Sequence, residues 1–131
     1  MEAVSKEELF SRADVVTIHL VLSDRMRGLV GAPELSLMKP SAYLVNASRG
    51  PIVDEAALLD ALGRGRIAGA GIDVYDTEPL PVDHPLRSAP NTVLTPHLGY
   101  VSTGNYKTFY SDAVEDIRGY LDGVPVRVLN G

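Results

Sequence analysis

Three ionisable residues of this chain, Arg49, Glu78 and His97, each follow the end of an apolar run. Their settings are Asn46-Ala47-Ser48-Arg49-Gly50, Asp73-Val74-Tyr75-Asp76-Thr77-Glu78-Pro79 and Thr95-Pro96-His97-Leu98-Gly99. Arginine stays charged and presents a planar fork matched to a carboxylate. Histidine is the side chain whose ordinary pKa lies nearest neutrality, and a neighbouring Glu can orient it and favour its charged form. A fixed cation, a carboxylate and an imidazole together can bind a small anion and move one proton at neutral pH. That is the chemistry of an oxidoreductase or an acid–base catalyst acting on a small acid.

The elements that must position these groups can be read from patterning. Ser5-Lys6-Glu7-Glu8 is a capping box, opening a short helix that should end near Arg12. Residues 15–22 are almost continuously apolar, which predicts a strand buried on both faces of a parallel sheet. A short helix over 33–38 stops at Lys39-Pro40, and residues 43–46 form a second strand leading into the turn that carries Arg49. Asp54 is placed to cap a helix over 55–62. Residues 68–74 form a third, glycine-rich strand, which implies close approach of another backbone or a ligand. Residues 78–90, with Pro79, Pro81, Pro85 and Pro90, must be an irregular connection before a fourth strand over 92–95.

A helix over 102–122, ended by Gly123, carries Tyr106, Phe109, Tyr110, Ala113, Val114, Ile117, Tyr120 and Leu121 at helical spacing. Core packing is the reading for its aromatic stripe, because helical spacing alone accounts for it. Alternating strands and helices with short connections predict α/β layering with right-handed crossovers. Ligands of open α/β sheets bind outside the carboxyl ends of the strands, so Arg49, Glu78 and His97 should meet at one sheet edge.

Bulk properties exclude several classes. A net charge of −5 with no Lys/Arg cluster argues against a nucleic-acid partner. The absence of Cys excludes disulfides, a thiolate nucleophile and a Cys-ligated zinc. No apolar run reaches membrane-spanning length and residues 1–7 have no signal core, so a soluble, cytoplasmic chain without membrane contact is expected. His19, His84 and His97 are scattered and lack spaced carboxylate partners, so no metal is expected. Ser48 lacks the Gly-x-Ser-x-Gly setting of a nucleophile elbow. Gly69-Ala70-Gly71 begins like a dinucleotide fingerprint, but Val74 stands where the third glycine belongs and the stretch lies within a strand.

Several motifs in one order carry a resemblance. They are Ala13-Asp14-Val15-Val16-Thr17-Ile18-His19-Leu20, Leu37-Met38-Lys39-Pro40, residues 46–62, residues 68–81 and residues 91–99. In these stretches the chain resembles the C-terminal part of the D-isomer-specific 2-hydroxyacid dehydrogenases, the family of phosphoglycerate, glycerate and D-lactate dehydrogenases. The fold implied is the C-terminal half of a Rossmann-type, doubly wound parallel sheet followed by a long C-terminal helix. Residues 1–101 would be a partial NAD-binding domain lacking its first strands and glycine-rich turn. Residues 102–131 would be the helix and tail that pack back toward the substrate domain.

By the same resemblance, Arg49 would bind the substrate carboxylate and its carbonyl or hydroxyl oxygen. His97 would be the general acid/base and Glu78 its hydrogen-bonded partner. The implied cofactor is NAD, with NADP left open. Asp73 would hydrogen-bond the nicotinamide carboxamide. Ala47, Ser48, Arg49, His97 and Gly99 would line the cofactor, and His19 and Val21 would lie near its adenosine end. Val21 departs from the pattern, since the family has proline there. Formate dehydrogenases of the family pair their histidine with an amide, so Glu78 points away from them. The implied partner is a small 2-hydroxy or 2-oxo acid, with assembly as a homo-oligomer. Because the glycine-rich turn is missing, the chain by itself should be inactive. The alternative is a non-catalytic binding or dimerisation module, as in corepressors of this fold. The strand over residues 15–22, deprived of its usual neighbour, should lie at a sheet edge.

Overall fold

Local signals start most of the elements. In the computed structural model, which describes residues 2–129, helix α1 (Lys6–Arg12) opens with the predicted reciprocal cap. The Glu8 N–H donates to the Ser5 hydroxyl and the Ser5 N–H to the Glu8 carboxylate, both at 3.1 Å. In α2 (Ala32–Leu37) the Glu34 carboxylate reaches back to the Gly31 N–H at 2.9 Å. In α3 (Glu55–Gly63) Asp54 caps the Ala57 N–H at 3.0 Å. Strands β1 (Val15–Ile18), β2 (Tyr43–Asn46), β3 (Gly69–Ile72) and β4 (Thr92–Leu94) form one parallel sheet in the order β1-β2-β3-β4. This is the predicted Rossmann-like α/β arrangement, with β1 at an edge.

The sequential strand order decides where the layers lie. Right-handed crossovers that always step the same way across a sheet place their helices on the same face. Phe10 of α1, Leu35 of α2 and Leu58, Ala61 and Leu62 of α3 accordingly bury against Val16, Ile18, Leu44, Ala70 and Ile72. Burying a side chain such as Leu35, Leu44 or Leu58 contributes about 1.5–3 kcal/mol each. An exposed pair such as Lys39–Asp14 contributes about 0–1 kcal/mol. The apolar layer therefore dominates.

The same geometry corrects the reading of the first strand. Its residues alternate exposed and buried, with Val15 56% exposed, and the opposite sheet face also exposes Tyr43 and Val93. A continuous apolar run signals burial on two faces only if a second layer covers the sheet, and these crossovers supply one layer. The strand is also shorter than predicted. Beyond Ile18 the Ser48 hydroxyl takes both the N–H and the C=O of Leu20, each at 3.0 Å, in place of a ladder.

The chain divides into two compact units, Met1–Leu98, which holds the sheet, and Gly99–Gly131. In the second, α4 (Thr103–Leu121) is capped by Ser102, whose hydroxyl accepts from the Asn105 N–H at 3.1 Å. Gly123, at φ +72°, closes α4 in the left-handed region, as its place in the sequence predicts. Arg127 folds back onto Asp112, Glu115 and Asp116. The stripe expected to be core is not: α4 buries no residue, and Tyr106, Phe109 and Tyr110 are all exposed. Helical spacing gathers side chains onto one face but says nothing about what covers it. Among the described residues, no helix is long and apolar enough to cross a membrane.

Candidate active site

Strand register creates the site. Ile18 pairs with Asn46, Asn46 with Ile72 and Ile72 with Leu94, so one row of residues closes the carboxyl edge of the sheet. Residues 19–21, 47–49, 73–78 and 95–98 leave that edge side by side.

The turn after β2 is shaped by Asn46, which is buried. Its Nδ2 donates to the Arg49 carbonyl at 2.9 Å and its Oδ1 accepts from the Ser48 N–H at 3.1 Å. Asn side chains commonly replace a backbone turn in this way. Ser48 then ties this turn to Leu20. Arg49 follows at the exposed tip, its Nη1 2.6 Å from the Ser48 carbonyl.

Gly50 joins this turn to the next strand end. A Cβ built on it would lie 2.1 Å from the Tyr75 carbonyl carbon and 2.6 Å from the Asp76 nitrogen. The Arg49 turn is thus pressed against the backbone leading to Glu78, where only glycine fits. Gly50→Ala should destabilise the fold by about 1–3 kcal/mol, the usual cost of overpacking. Urea denaturation of the two proteins checks this; equal midpoints would contradict the contact.

Glu78 is held at both oxygens: Oε2 lies 2.7 Å from His97 Nδ1 and Oε1 accepts from the Tyr75 N–H at 2.9 Å. The bond to His97 first, then the Tyr75 N–H and the nearby charges of His97 and Arg49, hold the Glu78 carboxyl below the usual carboxylate range. The ionised carboxylate can only accept, so His97 Nδ1 carries the proton and Nε2 is the nitrogen suited to exchanging one with a substrate.

His97 itself sits at φ +59°, unusual for a side chain of its size and of a kind found at functional sites. Asp73 brackets it. One oxygen of this buried carboxylate accepts the Leu98 N–H at 2.7 Å and the Thr95 hydroxyl. The Tyr75 hydroxyl lies 2.9 Å from the Thr95 carbonyl and 3.1 Å from that of Ile72, tying β4 to β3. Burial first, then the Asp73 charge, pushes the Tyr75 phenol up. Beside the pair opens a cavity of about 530 Å³ lined by Tyr75, Glu78, Leu80, Arg87, Leu94 and His97.

The structure therefore brings Glu78 and His97 into direct contact, with Asp73 bracketing His97 and Arg49 close enough to act on Glu78. Ala47 and Ser48 lie in the same turn as Arg49. His19, 3.0 Å from the Thr17 hydroxyl, and Val21 leave the same sheet edge without joining this cluster. Gly99 opens the second unit. Sequence reasoning assigned no role to Asn46, Tyr75, Thr95 or Arg87. A polar residue closing an apolar strand could have flagged Asn46 as a turn-former, whereas the other three depend on partners from distant segments. A second His–carboxylate pair, His84 Nε2 to Glu55 Oε1 at 3.0 Å, anchors the connection after Glu78 to α3. Burial first, and Asp76 with it, pushes the Glu55 carboxyl up, against the pull of His84.

A parallel sheet that carries its charged groups on the loops after aligned strand ends defines a Rossmann-like α/β domain. The chain belongs to the D-isomer specific 2-hydroxyacid dehydrogenase family: the NAD binding domain of that family matches residues 1–99. It is 38% identical to the hydroxypyruvate reductase of Blautia hydrogenotrophica, over 97% of this chain and 39% of that protein. Among solved structures it is similar to the phosphoglycerate oxidoreductase of Vibrio cholerae, with a TM-score of 0.84, 38% identity, and coverage of 92% of this chain and 39% of the other. It is also similar to the D-isomer specific 2-hydroxyacid dehydrogenase of Xanthobacter autotrophicus in complex with NADPH and MES. That match has a TM-score of 0.72, 38% identity, and covers 93% of this chain and 50% of the other. The chain spans about two fifths of the length of the hydroxypyruvate reductase it matches.

Proposed function

We propose that this chain contributes the acid–base site and half of the cofactor site of an NAD(P)-dependent oxidoreductase that interconverts D-2-hydroxy acids and 2-oxo acids. The observation that carries this reading is the Glu78–His97 contact of 2.7 Å, at the sheet edge that also bears Arg49. Arg49 binds the substrate carboxylate and steadies the oxygen on C2. In reduction His97 delivers its Nε2 proton to that oxygen, and in oxidation it takes the proton back. Glu78 holds the ring in the tautomer that makes this possible and stabilises the imidazolium. NAD, or NADP, supplies hydride transfer at its nicotinamide when bound.

The residues present fit the nicotinamide end of such a cofactor. Ala47 and Ser48 bring short side chains to the aligned strand ends beside the buried carboxylate of Asp73. Asp73, Ala47, Ser48, Arg49, His97 and Gly99 would hold that end, and His19 and Val21 the adenosine end. No Gly-x-Gly-x-x-Gly turn opening a helix occurs in the chain to seat the pyrophosphate, so the 131 residues by themselves are inactive in this reading. Residues 1–101 act as a partial NAD-binding domain, and 102–131 pack toward a substrate domain. The working protein is a cytoplasmic homo-oligomer acting on a small 2-oxo acid.

A hybrid tests this. In it, residues 1–131 replace the matching 39% of the Blautia hydroxypyruvate reductase. Hydroxypyruvate-dependent oxidation of NADH or NADPH by the hybrid is the expected result. A folded hybrid that binds cofactor yet shows no turnover would overturn the proposal.

A further inference from the structure

The segment that delivers Glu78 contains Pro79, Pro81 and Pro85 and has little regular structure of its own before the 3₁₀ turn at Pro85–Ser88. It must nevertheless keep a carboxylate 2.7 Å from His97. Burial of the Leu80 side chain draws the segment inward, but apolar burial is non-directional and does not orient peptide planes. The side-chain bonds that orient it come from Arg87, beside a backbone bond in which the His84 N–H donates to the Pro81 carbonyl at 3.2 Å. Arg87 Nη2 donates to the Leu80 carbonyl and its Nε to the Pro81 carbonyl, both at 2.7 Å. These two donors lie on one edge of a rigid fork, the geometry in which arginine holds two acceptors at once.

The base of this clamp is fixed as well. Leu86, next to Arg87, is buried in the core, and His84 accepts the Leu86 N–H at 3.3 Å through Nδ1. The other nitrogen of His84 is tied to Glu55 at the start of α3.

We propose that Arg87 is a positioning residue for the Glu78–His97 pair: it fixes the Leu80 and Pro81 carbonyls and thereby the segment that presents Glu78 to the imidazole. The inference rests on reading Glu78 and His97 as the acid–base pair, yet the clamp can be tested in the 131-residue chain without any turnover. His97, the Tyr75 N–H and Arg49 favour the charged Glu78 carboxylate, and Arg87 lines the same cavity. Arg87→Lys, which keeps the positive charge, therefore separates a loss of position from a lost neighbouring charge.

The experiment is carboxyl-carbon NMR titration of Glu78, with the Tyr75 amide shift read alongside, in the wild type, Arg87→Ala and Arg87→Lys. Amide protection at Leu44 and Ile72 verifies an intact core. The expected result is an upward move of the Glu78 titration toward the ordinary carboxylate range in both variants, with the Tyr75 amide shifted and the core unchanged. Lysine keeps the charge but cannot span both carbonyls, so it should follow alanine, and it decides the matter alone if the alanine variant fails to fold. A wild-type titration in Arg87→Ala, or its full restoration in Arg87→Lys, would overturn the clamp. If the clamp holds, both variants in the hybrid should lose up to about 10²-fold in kcat with KM little changed, the scale on which misplaced groups act. An inactive parent hybrid would count against the proposed function and not against the clamp.

Discussion

His97→Ala in the hybrid reductase is expected to lower kcat by about 10²–10⁴-fold, the range associated with losing a general acid/base. Cofactor affinity should change less than turnover, because Asp73, Ala47, Ser48, Arg49 and Gly99 would still hold the nicotinamide end while the imidazole alone moves the proton. Steady-state kinetics beside calorimetric titration of NADH separates the two effects, and unchanged turnover would remove His97 from the mechanism. Glu78→Gln should fall between wild type and His97→Ala, since an amide oxygen still accepts from Nδ1–H but no longer balances an imidazolium. The pH dependence follows from the same pair. The Glu78 carboxyl titrates below its unfolded value in the folded chain, because His97 and the Tyr75 N–H bind its charged form. Its contribution to stability is thus complete above the ordinary carboxylate range and disappears as pH falls through the folded value. Denaturant melts across the acid range should show this loss in the wild type and a smaller one in Glu78→Gln.

Association is the second large effect. Among the described residues no strand pairs with the outer side of β1, and β1 carries neither charge nor proline, the devices that usually protect a sheet edge. One face of the sheet presents Val15, Tyr43 and Val93 to solvent, and α4 presents Phe109, Tyr110, Ile117 and Tyr120. In either unit, exposed apolar side chains of this kind mark an interaction site or an aggregation liability. At micromolar concentration the 131-residue chain should therefore sediment as dimers or larger species. Thr17→Lys, which puts a charge on the open face of the edge strand, should shift it toward monomer. Analytical ultracentrifugation decides: a clean wild-type monomer with β1 amides protected from exchange would refute the expectation.

The parts of this protein legible in its sequence are those governed by near neighbours. Ser5 with Glu8, Asp54 before α3, and Gly123 after α4 act within one helical turn, and the structure shows each in the expected place. The strands around residues 15–18, 43–46, 69–72 and 92–94 declare themselves by apolar runs between turn residues. Once parallel pairing is assumed, the meeting of Arg49, Glu78 and His97 at one edge also follows, because residues after aligned strand ends must emerge together.

Tertiary structure decided the rest, for reasons no local pattern carries. Whether the apolar run beginning at Val15 is buried on one face or two depends on the direction in which later crossovers step, and all of these step the same way. Whether the stripe of α4 is core depends on what covers it. Gly50 is obligatory because of Tyr75 and Asp76, 25 and 26 residues further along the chain. Nothing in the sequence marks Arg87 for a role. It becomes a clamp only when the proline-rich connection folds back and brings the Leu80 and Pro81 carbonyls to one edge of its planar fork.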